Sequence, residues 1–141
     1  SFIGEPPMNI LRAKINKSNN TLKFEILNEK NEKTFSINFN NESIQKENLN
    51  KLANDQLITL GIRPHKIFFN QKDSNFDGKA SSSSYHWLGD QVHIGIEING
   101  SSIIGVADRN FEPSSDVKLN FPLESINIFN LETEEVILNG L

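Results

Sequence analysis

Residues 91–107 read Gln91-Val92-His93-Ile94-Gly95-Ile96-Glu97-Ile98-Asn99-Gly100-Ser101-Ser102-Ile103-Ile104-Gly105-Val106-Ala107. Along the first arm Val92, Ile94, Ile96 and Ile98 recur at every second position, the period of a strand with one face in a core. Asn99-Gly100 interrupts the run. Both central positions of a type I′ turn need positive φ, which Asn and Gly adopt at least cost. The stretch therefore predicts a β-hairpin, with 91–98 as one arm and 101–107 as the other.

Outward from that hairpin the same period repeats. Alternation over 10–15, 21–27 and 34–39 predicts strands, with Leu22, Phe24 and Ile26, then Phe35, Ile37 and Phe39, on single faces. Ser18-Asn19-Asn20 and the charged run 28–33 supply the turns between them. Shorter strands are expected at 56–62, 67–69, 117–121, 126–129 and 136–138, with Pro64 ending the first of these, and order resumes at 85–88. One segment changes period. Ile44, Asn48, Leu49 and Leu52 fall on one helical face behind the capping residues Asn41-Glu42-Ser43, so a short helix is expected over 44–53. The polar stretch 70–84, ending in four serines, reads as a disordered loop, and 108–115 as a further loop. Short strands, frequent turns and one short helix give an all-β class and a small closed or partly open barrel.

Composition narrows the chemistry. The chain has 141 residues, 36% hydrophobic and 23% charged, with a net charge of −4 and a pI near 5.4. This length buries roughly two-thirds of the surface exposed by the unfolded chain. No run of Lys or Arg makes a phosphate-binding stripe, which disfavours nucleic acid even though Tyr85, Trp87, Phe68 and Phe69 could stack bases. Without Cys, disulfides, thiolate catalysis and Cys-based zinc sites are excluded. No apolar stretch reaches the roughly 18 residues of a membrane span, and no signal peptide is visible. Asn is abundant, so sequons such as Asn41-Glu42-Ser43 arise by chance.

Catalytic motifs are absent. There is no Gly-x-x-x-x-Gly-Lys-[Ser/Thr] loop, no Gly-x-Gly-x-x-Gly and no Gly-x-Ser-x-Gly. Asp73-Ser74-Asn75-Phe76-Asp77-Gly78 copies the start of an EF-hand loop, but Ser84 stands where the bidentate Glu belongs, so it reads as a polar turn. His65, His86 and His93 could form a three-histidine zinc site, but their separate sequence contexts argue against it. Glu134-Glu135, and Asp108 with Glu112, sit in expected turns and not in a pocket suited to acid–base work. Ser81 to Ser84 have no base placed to activate them.

The opening Phe2-Ile3-Gly4-Glu5-Pro6-Pro7-Met8-Asn9, together with Leu60-Gly61-Ile62-Arg63-Pro64, resembles the C-terminal regulatory segment of ATP-binding subunits of sugar-importing ABC transporters, the maltose-transporter ATPase family. Tyr85-His86-Trp87-Leu88-Gly89 is similar to that family's Val-Glu-x-Leu-Gly stretch, and Ile126-Asn127-Ile128-Phe129-Asn130 to its closing pattern. The family's Glu after Arg-Pro is here His65, and the Glu of the second stretch is His86. The resemblance implies a transport-associated, OB-like barrel over 10–141. It also implies that 1–9 ends a linker from a nucleotide-binding domain, the chain being a fragment of a larger ATPase. The implied role is regulatory and dimer-forming, without catalysis, cofactor or metal here; ATP and Mg would belong to the parent protein. Implied partners are a second copy, the nucleotide-binding domain, membrane permease subunits at the inner face of the cell membrane, and a phosphotransferase-system regulator. Arg63, His65, His86, Trp87, Gly89 and Phe129 are the expected regulatory or dimer-interface residues. The alternatives are a free-standing barrel that binds a small ligand or oxyanion, and a binder of single-stranded nucleic acid.

Overall fold

A computed structural model describes residues 6–112, 114 and 116–141. Residues 2–5 of the opening motif, and positions 113 and 115 of the loop expected over 108–115, lie outside the described residues. Among the described residues there are thirteen strands: β1 Asn9–Lys17, β2 Thr21–Leu27, β3 Lys33–Asn40, β4 Leu57–Ile62, β5 Phe68–Phe69, β6 Phe76–Asp77, β7 Ala80–Leu88, β8 Gln91–Ile98, β9 Ser101–Asp108, β10 Asp116–Val117, β11 Leu119–Asn120, β12 Asn127–Asn130 and β13 Val136–Asn139.

They form two curled sheets and a short ribbon. The first sheet has the order β13-β12-β4-β1-β2-β3-β6, the second β10-β7-β8-β9, and β11 pairs with β5. Every pairing is antiparallel. The last two strands of the chain therefore complete the sheet begun by the first four. An early and a late β-rich stretch thus share one sheet.

The alternation read from the sequence becomes burial. Leu22, Phe24 and Ile26 are wholly buried on β2, as are Val92, Ile94 and Ile98 on β8, and all join one continuous core. Each such side chain contributes about 1.5–3 kcal/mol relative to exposure. Phe24 meets Phe39 edge-on, and Phe35, Phe76 and Phe121 form a second aromatic group. The Asn99-Gly100 turn has the expected positive φ at both residues, 47° and 94°. Asn99 Nδ2 donates to the Thr34 carbonyl at 2.9 Å, and the Thr34 and Ser101 hydroxyls bond at 2.8 Å, so the hairpin tip is tied to the first sheet.

Three expectations are corrected. The helix is not 44–53. A 3-10 turn covers Asn41–Ser43, and the α-helix, α1, spans only Lys46–Leu49. Ile44 is extended, and Gln45 offers no side-chain cap. At the far end, Lys17 Nζ donates to the carbonyls of Leu49 and Leu52, both at 2.9 Å. A cation on these carbonyls satisfies the end of a one-turn helix directly.

Segment 70–84 is ordered, and it carries β6 and the start of β7. Its polar side chains replace missing strand partners. Asn75 Nδ2 donates to the Phe121 carbonyl at 2.7 Å while its Oδ1 accepts from the Phe121 N–H at 2.9 Å, and Ser74 Oγ donates to the Leu119 carbonyl. The four serines are strand residues facing β8, with a bulge between Ser82 and Ser84.

The expected strand 117–121 is two strands in different sheets, because Asn70 takes both backbone groups of Lys118 between them.

Candidate functional site

Residues from three of the quoted motifs meet at one seam. β1 pairs with β4 so that Ile10 faces Gly61, and β12 pairs with the other edge of β4 so that Asn127 also faces Gly61. A Cβ at Gly61 would fall on Met8 Sδ and lie 2.7 Å from Phe129 Cε2. Glycine is needed there because two side chains from distant parts of the chain close over its backbone. Asn127 Nδ2 adds a bond to the Gly61 carbonyl at 3.1 Å. Asn9 then joins the two sheets. Its Nδ2 donates to the carbonyls of Ile62 (3.1 Å) and Ile104 (2.9 Å), and its Oδ1 accepts from the Ile104 N–H at 2.8 Å. Met8-Asn9, Gly61-Ile62 and Phe129, separate in sequence, are one contact in space.

Two open clefts flank Ile10, which lines both. The larger, about 650 Å³, includes Arg12, Asn28, Lys30, Gly100, Ser101 and Ser102. Arg12 Nη1 donates to Asn31 Oδ1 at 2.7 Å, and the carboxylates of Glu29 and Glu32 share the lining. This cleft offers hydrogen-bond donors to a polar or anionic ligand. The smaller, about 370 Å³, has Pro7, Asn9, Ser84, Glu97 and Ile104 in its wall, and Glu97 already accepts from Ser102 at 2.5 Å. The Ser-and-Lys grouping of the larger cleft escaped the sequence reading, because Lys30, in the turn after β2, and Ser101, at the start of β9, are far apart in the chain and only folding joins them.

The outer face of the first sheet carries three exposed apolar side chains among Arg12, Lys14 and Thr59. Ile10, Leu57 and Val136 are 61%, 47% and 53% exposed. The pairing places them with Phe129 and Met8 on one side of β13-β12-β4-β1.

The expected interface residues do not form one patch. Phe129 lies on the outer face just described. Arg63 and His65 are exposed on the 3-10 turn Pro64–Lys66, which begins where β4 ends, and Arg63 makes no side-chain bond to that turn. The same segment leads to Phe69, which packs over Gly105 on the inner face of the second sheet. Gly89 turns the β7–β8 hairpin at φ 64°, a left-handed conformation that favours glycine. Trp87 is half exposed and stacks on Tyr85 at 6.4 Å, while Tyr85 and Phe69 both lean on Phe111. His86 is exposed on the outer face of the second sheet.

His86 and His93, expected in different contexts, stand directly opposite each other in the β7–β8 ladder. The signal for this was present. Gly89-Asp90 is a two-residue turn dipeptide, and counting outward from it pairs Leu88 with Gln91, Trp87 with Val92 and His86 with His93. His65 is not drawn in, and among the described residues no group of three or more His, Cys, Asp or Glu could hold a metal ion. Among the described residues no helix is long and apolar enough to cross a membrane.

No protein-family model matches the chain, and no curated protein matches it. Among solved structures, the cytoplasmic molybdate-binding protein ModG, in a crystal form with molybdate bound, superposes with a TM-score of 0.56 at 8% identity. The match covers 89% of this chain and 97% of that one. The fold is an OB-like barrel. At this identity the likeness carries the architecture of the OB-like barrel, including its mostly β content and its curled sheets, and leaves ligand and partner to the residues themselves.

Proposed function

We propose that this chain is a non-catalytic regulatory and dimerisation domain of the ATP-binding subunit of a carbohydrate importer. The observation that carries this reading is the seam at Gly61. Residues from three of the four stretches that carry the resemblance, Met8 and Asn9 of the opening, Gly61 and Ile62 of the Gly-Ile-Arg-Pro stretch and Asn127 and Phe129 of the closing one, meet there in one packed contact; the fourth, 85–89, lies on the second sheet. On this reading ATP and Mg bind in the parent chain, and permease subunits hold the assembly at the inner face of the membrane. A regulator, of the phosphotransferase type in this family, docks on the exposed residues Arg63, His65, His86 and Trp87. The coupling is a free energy between the docking surface and a remote ATP site. The deciding test is the coding sequence upstream of Ser1. A Gly-x-x-x-x-Gly-Lys-[Ser/Thr] loop in the same reading frame is expected, and an upstream sequence without one overturns the proposal.

Pairing of two copies is assigned to the outer face of the first sheet, because half-exposed Ile10, Leu57 and Val136 share it with Phe129 and exposed apolar side chains gain by burial between copies. Ile10→Asp buries a carboxylate at the centre of such an interface, so the protein is expected to run as a monomer by light scattering where the wild type runs as a dimer. Dimers that persist in Ile10→Asp would move the contact elsewhere, and a monomeric wild type would remove it.

A second reading, binding of a small oxyanion, is favoured by Arg12, Lys30, Ser101 and Ser102 around the larger cleft. It predicts a rise in melting temperature with molybdate that grows with concentration, since a ligand at about 100 times its Kd adds about 2.7 kcal/mol. The regulatory reading predicts no such rise.

A further inference from the structure

The β7–β8 ladder sets two imidazoles side by side. His86 and His93 are directly paired, with ring centroids 6.4 Å apart and planes at 68°. Nε2 of His93 is enclosed by the protein and has no hydrogen-bond partner. A buried ring nitrogen left in that state is costly unless something outside the protein satisfies it. His86, by contrast, is exposed and the rest of the His93 ring is only partly buried, so an ion arrives at His86 first and a turn of the His93 ring brings its nitrogen out to the pair.

We propose that His86 and His93 form a two-histidine site for a divalent transition metal ion such as zinc or copper. Imidazole nitrogen is a preferred ligand of both, and the chain has no thiolate to compete. Metal–nitrogen bonds of about 2.0–2.1 Å put the centres of two imidazoles sharing an ion about 5–6.5 Å apart. The observed 6.4 Å lies at the wide end of that range, so the two rings turn toward each other to share an ion. The hairpin supplies pre-organisation. The Gly89-Asp90 turn fixes its register, and β8 is held on its other side by β9, where Val106 faces His93. Both ligands are thus set before the ion arrives, which is the condition for a chelate and not two independent weak contacts. Water, or a group from a partner, completes the coordination.

Equilibrium dialysis of the whole chain against zinc or copper chloride tests the assignment, with His86→Gln, His93→Gln and His65→Gln compared. The expected result is one ion per chain in the wild type. Either of the first two changes should weaken binding tenfold or more, and His65→Gln should leave it unchanged. Because His86 is exposed, its variant keeps the fold, and far-ultraviolet circular dichroism checks this for both. The proposal is overturned if the wild type takes up no ion, if either paired-histidine variant retains wild-type affinity, or if His65→Gln loses as much as they do.

Discussion

Phe121→Ala is expected to cost about 3–5 kcal/mol of folding stability, the range for deleting a fully buried aromatic ring. Phe121 has no exposed surface, stacks with Phe35 at 6.5 Å and leans on Phe76 at 6.4 Å. Its backbone is held on both sides by the Asn75 amide, so the chain cannot slide inward to fill the space. A domain of this class has about 5–15 kcal/mol in total, so the variant would sit at the edge of folding. Urea unfolding should show a lower midpoint at an unchanged slope. A loss under about 1 kcal/mol would mean that the cavity collapses and that Phe121 is not the keystone between β6 and β11.

Asn9 carries the second large effect. Its amide makes three hydrogen bonds to two strands in different sheets. Asn9→Ala leaves the Ile62 carbonyl, which lies in a nearly closed environment, without this donor, and exposes the β9 edge at Ile104. A loss of about 2–3 kcal/mol is expected, given about 1 kcal/mol per bond and more for an orphaned group. Asn9→Asp is the sharper test. It is isosteric and keeps the acceptor for the Ile104 N–H. It also sets a carboxylate oxygen against two carbonyls, so it should destabilise at least as much as Asn9→Ala. If Asp is tolerated as well as Asn, the donor half of the contact contributes nothing.

The strands were legible because period-two burial is written locally. Leu22-x-Phe24-x-Ile26 and Val92 to Ile98 need no knowledge of their partners to declare a buried face. The Asn99-Gly100 turn was equally local. What could not be read depended on distant residues. Ser81 to Ser84 look disordered alone and become a strand only beside β8. Lys17 shortens the helix from a position 32 residues before Leu49. Neither influence leaves a trace in the segment it acts on. Of the candidate site, the roles of Gly61 and Gly89 as backbone requirements were implicit in their motifs, but their neighbours were not. The six residues gathered by motif position are spread over both sheets and the turns beside them, since position along the chain does not fix proximity.

The strand order of the first sheet has a consequence during synthesis. β4 leaves the ribosome paired with β1 on one side only, and its other edge waits for β12, with Asn127 lying 66 residues after Gly61. Until then a strand holding Ile58, Leu60 and Ile62 presents open hydrogen-bonding groups to every other nascent chain nearby, the hazard of an unguarded edge. The contact between Asn9 and Ile104 spans 95 residues and cannot form before the second sheet exists. Translation speed through 63–126 therefore sets how long the half-built barrel is sticky, and a trigger-factor-type holdase would find its target there.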